Sequence, residues 1–219
     1  MTLNKTSSKE LVDSNIVKLS KLDSGKPEIF VSIQGEGVFA GTPCVFIRLA
    51  SCNLSCSWCD TKYTWDWKNY EYANHVMTLH NDDIYSMIDE YNLKHVVITG
   101  GEPLLQIDDK LVEALKKEHV EMAIETNGTI IPPDSIDWIC VSPKQEAELL
   151  VTKGNELKIV YPQDGLDPSN FLGLDFDVFS LQPMDGPEYK DNLQQTMHYC
   201  RTHPEWRLSL QTHKYLQIP

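Results

Sequence analysis

The sequence is short of positive charge and contains no long apolar run. It has 19 Lys and Arg residues against 32 Asp and Glu residues, a net charge of −13. A protein that binds nucleic acid normally needs a basic face to displace counterions, so DNA and RNA are poor candidate partners. No stretch approaches the ~20 apolar residues that span a bilayer, and residues 1–27 lack the apolar core of a signal peptide. We therefore expect a cytoplasmic protein with no nucleic acid or membrane partner.

Disulfide bonding is a poor explanation for the six cysteines. Three of them crowd between residues 52 and 59, whereas Cys44, Cys140 and Cys200 are scattered along the chain. In a reducing compartment, close spacing indicates metal binding. The scattered cysteines suggest no role beyond packing.

The chain divides into a polar N-terminal stretch and one domain. Residues 1–26 are polar, lack sustained periodicity and end in Ser-Gly-Lys-Pro, so we predict a flexible or loosely docked extension there. Residues 27–219 form the predicted domain, because short apolar runs rich in β-branched residues recur in them and indicate buried strands. These runs are residues 44–49, 95–99, 122–125, 138–141, 157–161, 178–181 and 208–210.

Helical patterns lie between several of these runs. The apolar faces are Ile84, Met87, Ile88 and Tyr91, then Leu111, Val112 and Leu115, with a third helix over residues 188–202. Alternating strands and helices predict right-handed crossovers and a parallel sheet, either open or curled into a partial barrel. The functional site of such a sheet lies at the carboxyl ends of its strands. The polar segments SCNLSCSWCDT, GGEP, ETNG, SPK and QPM follow the predicted strands at that end.

The cysteine loop has the pattern Cys52-x3-Cys56-x2-Cys59 and follows the first predicted strand. Three thiolates can bind three irons of a cubane and leave the fourth iron open, whereas electron-transfer clusters use four cysteines. A structural zinc site with Cys44 as fourth ligand is the alternative. Zinc sites usually pair two separated C-x2-C knuckles, and Cys44 lies within a strand run, so the spacing favours an iron–sulfur cluster with an open iron.

Trp58 before the last cysteine and GGEP at residues 100–103 make this pattern more specific. It resembles the radical S-adenosylmethionine (SAM) superfamily, which implies a partial (βα)6-type TIM barrel, a 4Fe-4S cluster and SAM bound to the open iron. In that superfamily, one-electron reduction yields a 5'-deoxyadenosyl radical that abstracts hydrogen from the substrate. Under this interpretation, Gly100 and Gly101 let the backbone approach the cofactor, and Glu102 accepts a hydrogen bond from the cofactor's ammonium group.

Three further segments resemble the 7-carboxy-7-deazaguanine synthase family, and the match runs over residues 27–219. They are SIQGEG with a following FIR that ends at Arg48, CDTKYTWD from Cys59, and QTHKYLQIP at the end. The resemblance implies conversion of 6-carboxy-5,6,7,8-tetrahydropterin to 7-carboxy-7-deazaguanine with loss of ammonia, in queuosine biosynthesis. The radical takes hydrogen from C6 of the pterin and the hydrogen is later returned, so that SAM is not consumed.

The same resemblance implies a role for individual residues. The substrate is expected to contact Ile33, Gln34, Gly35, Arg48, Thr99, His213 and Pro219. SAM is expected to contact Trp58, Cys59, Asp60, Gly101, Glu102, Ser142, Pro143, Lys144, Gln182, Pro183, Met184 and Asp185. Thr61 matches the family's magnesium ligand, and Arg48 offers a planar pair of donors to the substrate carboxylate.

The match extends to Pro219 and predicts a terminal α-carboxylate that accepts from the pterin's N–H groups. Tyr215, Leu216 and Ile218 are the expected anchors of this tail. A flavodoxin or ferredoxin is the expected electron donor, and a homodimer is the expected assembly. Two alternatives stay open, a radical SAM activase that acts on a glycyl-radical partner and a zinc-stabilised binding module without catalysis.

Overall fold

The structure is a computed structural model that describes residues 15–116, 120–145 and 147–219. Its strands are β1 Ile16–Ser20, β2 Ile29–Ile33, β3 Pro43–Leu49, β4 Val76–His80, β5 His95–Gly100, β6 Glu121–Thr126, β7 Trp138–Val141, β8 Lys153–Tyr161, β9 Asp175–Pro183 and β10 Trp206–Leu208. Its α-helices are α1 Tyr72–His75, α2 Asn81–Tyr91, α3 Asp109–Leu115, α4 Tyr189–Thr202 and α5 Thr212–Leu216. Short 3-10 helices cover Lys62–Thr64, Pro103–Leu105 and Pro168–Phe171.

The strands form one sheet in the order β10-β9-β8-β7-β6-β5-β3-β1-β4, with β2 paired to β3. Pairing is parallel from β3 through β5 and on to β10, which confirms the predicted parallel sheet and partial barrel. Each predicted strand run overlaps one of these parallel strands, although β10 begins two residues before the predicted run. In their described residues, the β6–β7 and β7–β8 connections contain no helix, so the outer helical layer is incomplete.

The predicted domain boundary at residue 27 is wrong for residues 15–26. Strand β1 pairs antiparallel with β4 along its whole length, and Leu19 lies opposite Leu49 of β3. Val17 and Leu19 are buried in the main core. The sequence does not indicate this strand, because it is short, its neighbours in the sequence are polar, and its pairing partners are distant along the chain. Residues 1–14 of the predicted extension lie outside the described residues.

Helices α2 and α3 cover one face of the sheet. Ile84 and Ile88 of α2 pack in the same core as Leu111 and Leu115 of α3, as the periodicity predicts, whereas Tyr91 is partly exposed. Asp108 caps α3 by accepting a hydrogen bond from the Leu111 N–H at 2.9 Å. No helix among the described residues is long and apolar enough to cross a bilayer.

Alternation along the parallel strands separates the apolar core from the polar interior of the barrel. Residues 45, 47 and 49 of β3 pack into the core under the helices, while Phe46 and Arg48 face the other way and line a cavity. The neighbouring strands follow the same rule, because successive side chains of a strand point to opposite faces. Cys44, Val97 and Ala123 pack together with Phe46 and Trp138 in a small apolar cluster on the inner face. The polar side chains at the strand ends therefore share one space.

Candidate active site

The carboxyl ends of the parallel strands surround a cavity of about 440 Å³. Every residue that the sequence assigns to the substrate lines it: Ile33, Gln34, Gly35, Arg48, Thr99, His213 and Pro219. Most residues assigned to the cofactor line it as well: Trp58, Cys59, Asp60, Gly101, Ser142, Lys144, Gln182, Pro183 and Asp185. Cys52, Cys56 and Thr61 complete the predicted set. Segments scattered over the sequence thus meet in one place.

Three residues assigned to SAM do not line the cavity. Glu102 is 0% exposed, and its carboxylate accepts from the Leu104 N–H at 3.0 Å, the Thr126 hydroxyl at 2.8 Å and the Asn127 N–H at 2.7 Å. Protein donors therefore already engage both carboxylate oxygens, and the contact of Glu102 with the cofactor's ammonium group stays a prediction. Pro143 and Met184 also lie outside the lining, although their neighbours on both sides belong to it.

The hydrogen bonds of Glu102 connect the turn after β5 to the end of β6. Burial raises the pKa of its carboxyl, while hydrogen bonds from Asn127, Thr126 and Leu104 work in the opposite direction. Since the donors come from the strand ends of β6 and from the turn after β5, this carboxylate fixes the two segments to each other. It positions the neighbouring Gly101, which does line the cavity.

The cysteine loop packs directly against that glycine. A Cβ added at Gly101 would lie 2.1 Å from the Ser51 carbonyl oxygen and 3.0 Å from the Cβ of Cys52. At Gly100, where φ is +139°, an added Cβ would lie 2.0 Å from the Leu49 carbonyl oxygen. Only glycine allows the ends of β3 and β5 to approach so closely. The Gly-Gly pair therefore sets the position of the cysteine loop.

Two of the cysteine sulfurs lie near N–H donors. The Leu54 N–H donates to Cys52 Sγ at 3.4 Å, and the Trp65 indole N–H donates to Cys59 Sγ at 3.4 Å. Burial raises the pKa of Cys52 to about 11, with Glu102 and the other two cysteines adding to the effect. N–H groups that point at sulfur stabilise thiolates and tune a cluster bound to them, so the loop suits a three-cysteine iron–sulfur site.

The described residues give no support to a compact zinc site. Within residues 15–116, 120–145 and 147–219, no three Cys, His, Asp or Glu side chains are arranged to hold a single metal ion. Cys44, the fourth ligand of that alternative, is buried in the apolar cluster of β3, β5 and β6. Cys52, Cys56 and Cys59 all line the cavity.

Lys144 lies beside Trp58 of the cysteine loop, and both residues line the cavity. The ammonium of Lys144 lies 5.4 Å from the centroid of the Trp58 ring and donates to the Ser142 hydroxyl at 2.7 Å. Burial lowers the pKa of Lys144, while the charges of Cys56, Glu102 and Cys59 oppose this effect. A cation beside the thiolates partly offsets the negative charge of a three-cysteine cluster.

Arg48 is held by an acidic partner that the sequence does not reveal. Its Nε donates to Glu28 Oε1 at 2.7 Å, and the Tyr63 hydroxyl donates to the same carboxylate at 2.9 Å. Burial works to lower the pKa of Arg48, but Tyr63 and Glu28 outweigh it and raise the pKa. The guanidinium is thus fixed in orientation at the end of β3, where it lines the cavity.

Lys158, a buried lysine that bonds two carboxylates, also lines the cavity, and the sequence reasoning missed it. Lys158 of β8 donates to Glu36 at 2.6 Å and to Glu125 at 3.1 Å. All three residues line the cavity. Lys158 sits within an apolar strand run, and that placement of a charged residue on the inner face is the signal that could have identified it.

The C-terminal segment closes one side of the cavity. A Cβ on Gly35 would lie 2.2 Å from His213 Nδ1, so the loop after β2 and helix α5 are in close contact. Burial lowers the pKa of His213, with Glu36 opposing the effect. Ser32 donates to the Pro219 backbone oxygen at 2.7 Å.

The prediction that Tyr215 and Leu216 anchor the tail by apolar burial is wrong. Tyr215 and Leu216 are each 58% exposed. The segment after β10 contains helix α5, and His213 and Lys214 of this helix line the cavity. Polar contacts rather than apolar burial hold the tail in place. Ser32 bonds Pro219, Lys214 bonds Asp185, and the Tyr215 hydroxyl bonds that of Tyr189.

Comparison with known proteins identifies the class and then the family. Residues 47–145 match the sequence pattern of the Radical SAM superfamily, and with the parallel barrel and its cysteine loop this match defines a radical SAM enzyme. The chain is 48% identical over 205 residues to the 7-carboxy-7-deazaguanine synthase of Bradyrhizobium diazoefficiens, covering 87% of this chain and 97% of that protein. It is 46% identical over 209 residues to the synthase of Burkholderia multivorans, covering 88% and 97%. The chain therefore belongs to the 7-carboxy-7-deazaguanine synthase family.

The fold has a solved counterpart. The crystal structure of QueE from Escherichia coli superposes with a TM-score of 0.69 at 28% sequence identity, covering 90% of this chain and 94% of that one. Membership of the radical SAM superfamily implies a 4Fe-4S cluster and SAM as cofactors, a small-molecule substrate and a source of electrons.

Proposed function

We propose that this chain converts 6-carboxy-5,6,7,8-tetrahydropterin to 7-carboxy-7-deazaguanine with release of ammonia, a step of queuosine biosynthesis. The observation that carries the proposal is the convergence of the three-cysteine loop, the glycine pair and the SIQGEG and HKYLQIP segments on one cavity. The names of relatives 41–48% identical to this chain support the same reaction.

On the cofactor side of the cavity, Cys52, Cys56 and Cys59 are the proposed cluster ligands. When bound, the cluster and SAM supply a radical that abstracts hydrogen from the substrate. The proposed SAM contacts are Trp58, Cys59, Asp60, Gly101, Ser142, Lys144, Gln182, Pro183 and Asp185, all of which line the cavity. Their backbone and side chains orient the cofactor and exclude water from the reacting atoms.

On the substrate side, Arg48 is the proposed partner of the pterin's carboxylate. Glu28 holds Nε of Arg48 in place, so the guanidinium plane is oriented before substrate arrives. Ile33, Gln34, Gly35, Thr99, His213 and Pro219 are the proposed remaining contacts. Thr61 is the proposed magnesium ligand, since it lines the cavity and its hydroxyl lies 3.6 Å from Cys59 Sγ.

A flavodoxin or ferredoxin is the proposed electron donor, and a homodimer is the proposed assembly. The superfamily requires one-electron reduction, which small acidic electron carriers of this kind supply. Mg²⁺ is the proposed third cofactor, because it binds few protein oxygens and leaves coordination positions for substrate oxygens and water.

The deciding experiment is anaerobic reconstitution with iron and sulfide, followed by incubation with SAM, dithionite, Mg²⁺ and the carboxypterin. Mass analysis is expected to show 7-carboxy-7-deazaguanine and ammonia. Omission of the pterin is the control for uncoupled cleavage of SAM. A reconstituted cluster with SAM cleavage but no deazaguanine would favour the activase alternative, and tight stoichiometric zinc without a cluster would favour the binding module.

A further inference from the structure

Lys158 is a buried cation on the wall of the cavity. Only 3% of its surface is exposed, and its ammonium bonds Glu36 from the loop after β2 and Glu125 from the end of β6. The three residues come from segments far apart in the sequence, and all of them line the cavity. A second carboxylate oxygen of Glu125 lies 3.0 Å from the same ammonium, so the contact with Glu125 is bidentate.

The number of carboxylates exceeds what a structural ion pair needs. One buried ammonium is neutralised by one carboxylate, and each additional buried charge costs desolvation energy. With Lys158 protonated and both partners ionised, the group carries a net negative charge on the cavity wall. Such an excess is expected where the carboxylates have a second partner.

Other charged and titratable groups face the lysine from the surrounding elements. Those that act on its charge or that of its partners are Glu156 on β8, Cys140 on β7, Lys144 after β7 and His213 on α5. Glu156 is engaged elsewhere, since it accepts from the Ser180 hydroxyl at 2.6 Å and from the Val38 N–H at 3.0 Å. Glu36 and Glu125 are therefore the carboxylates that Lys158 presents to the cavity.

The two carboxylates respond differently to burial. Burial works to raise the pKa of Glu36, but the Lys158 charge and hydrogen bonds from Lys158 and Gln211 lower that pKa to about 2. At Glu125 burial prevails and raises the pKa, with Lys158 opposing it and Glu36 adding to it. Without Lys158, two neighbouring carboxylates would face each other in a buried site and would share a proton.

We propose that Lys158 is a positioning residue for the substrate, which holds Glu36 and Glu125 side by side and favours their ionised form as hydrogen-bond acceptors for the pterin. This inference rests on the proposed function. A reduced pterin presents an amino group and several ring N–H donors, and an ionised carboxylate is an acceptor-only group. Arg48 on β3 binds the other end of the same substrate, its carboxylate. The cavity therefore distinguishes the N–H donor end of the substrate from its carboxylate end.

The test compares Lys158→Met, Glu125→Gln and the double variant with the unsubstituted enzyme. In Lys158→Met the KM for the carboxypterin is expected to rise at least tenfold. The acidic limb of its kcat/KM profile is expected to move to higher pH, because loss of the ammonium raises the pKa of the carboxylate pair. Glu125→Gln is expected to raise KM without moving that limb upward. The double variant is expected to lose the shift, since the second carboxylate is gone.

Lys116→Met is the matched control, because Lys116 forms a 2.6 Å ion pair with Asp137 and does not line the cavity. Its KM and pH profile are expected to match those of the unsubstituted enzyme. Cluster content and uncoupled SAM cleavage without pterin are measured for every variant and are expected to stay unchanged. Infrared spectra are expected to gain a protonated carboxyl band near neutral pH in Lys158→Met only.

A Lys158→Met protein with unaltered KM and pH profile would overturn the inference. If that variant does not fold, a Glu125→Gln protein with unaltered KM would overturn it equally. Failure of the unsubstituted enzyme to convert the carboxypterin would instead refute the proposed function, so the two outcomes are distinct.

Discussion

Lys214 of α5 donates to Asp185 at the end of β9 across a distance of 2.6 Å. The same ammonium lies 3.1 Å from Asp60, the residue that follows the last cysteine of the loop. One side chain thus ties the C-terminal helix to the cysteine loop and to the far side of the barrel mouth. Gln211 extends this link inward, since its amide donates to Glu36 at 2.8 Å.

Lys214→Ala is expected to remove the contacts of α5 with Asp60 and Asp185. The KM for SAM is expected to rise only about two- to fivefold with little change in kcat, because exposed ion pairs contribute little binding energy. The hydrogen bond from Lys214 lowers the pKa of Asp185. The pair is therefore present at neutral pH and is lost as pH falls through the folded-state pKa of Asp185. Steady-state kinetics from acid to neutral pH are expected to show the variant and the unsubstituted enzyme converging at acid pH. Lys190→Ala on the exposed face of α4 is the control.

Replacing any one of Cys52, Cys56 and Cys59 with Ala is expected to abolish turnover, because two thiolates do not hold a cubane against loss of iron. Iron and sulfide analysis of anaerobically reconstituted protein measures this directly. Cys200→Ala is the control and is expected to keep both cluster and activity, since Cys200 belongs to α4 and packs against the apolar core, away from the cavity. Full turnover by Cys56→Ala would exclude the cluster assignment.

Thr61→Ala is expected to lower activity at limiting Mg²⁺ by about tenfold, because one oxygen ligand is lost while the cysteines stay in place. Titration of Mg²⁺ against initial rate gives the shift, and the visible spectrum of the cluster is expected to be unchanged. Thr78→Ala on exposed β4 provides the comparison. An identical magnesium response in the two variants would remove Thr61 from the site.

Glu102→Gln is expected to destabilise the fold by about 1–3 kcal/mol, because an amide N–H₂ replaces one of two buried acceptor oxygens. Since burial raises the pKa of Glu102, its folded form binds a proton more readily than its unfolded form. Unfolding free energy therefore falls as pH rises from the unfolded-state pKa through the folded-state pKa, and the variant should lack this component. Denaturant unfolding at several pH values measures both effects, with the exposed Glu113→Gln of α3 as control. Equal stability of the two variants would contradict the structural role of Glu102.

A tag added after Pro219 is expected to raise the KM for the carboxypterin up to about tenfold, because Pro219 lines the cavity and the added residues would disturb its hydrogen bond with Ser32, which contributes about 0.5–1.5 kcal/mol. Ser32→Ala is expected to have a smaller effect in the same direction, since Ser32 holds the Pro219 oxygen at 2.7 Å. Kinetics with both substrates separate this effect from SAM binding. A tag before Met1 is the control, and native kinetics of the C-terminally tagged protein would refute the role of Pro219.

Local patterns in the sequence are sufficient for the parallel strands, the main helices and the chemistry of the cysteine loop. Burial on both faces makes parallel strands read as β-branched apolar runs, and the spacing of Cys52, Cys56 and Cys59 is itself the chemical signal. Strands β1, β2 and β4 escaped prediction because antiparallel strands at the edge of a sheet depend on partners distant in the chain. Their short alternating patterns are weak by themselves.

Tertiary structure alone decided which charged residues meet. Glu28 is paired with Arg48, Glu102 is sealed inside the strand ends, and Lys158 joins two carboxylates from separate segments. The residue types and their motifs determined what kind of chemistry the site can perform. Charge pairing acts through space over a few ångströms and leaves no periodic trace along the chain, so the partners of each charge follow only from the folded sheet.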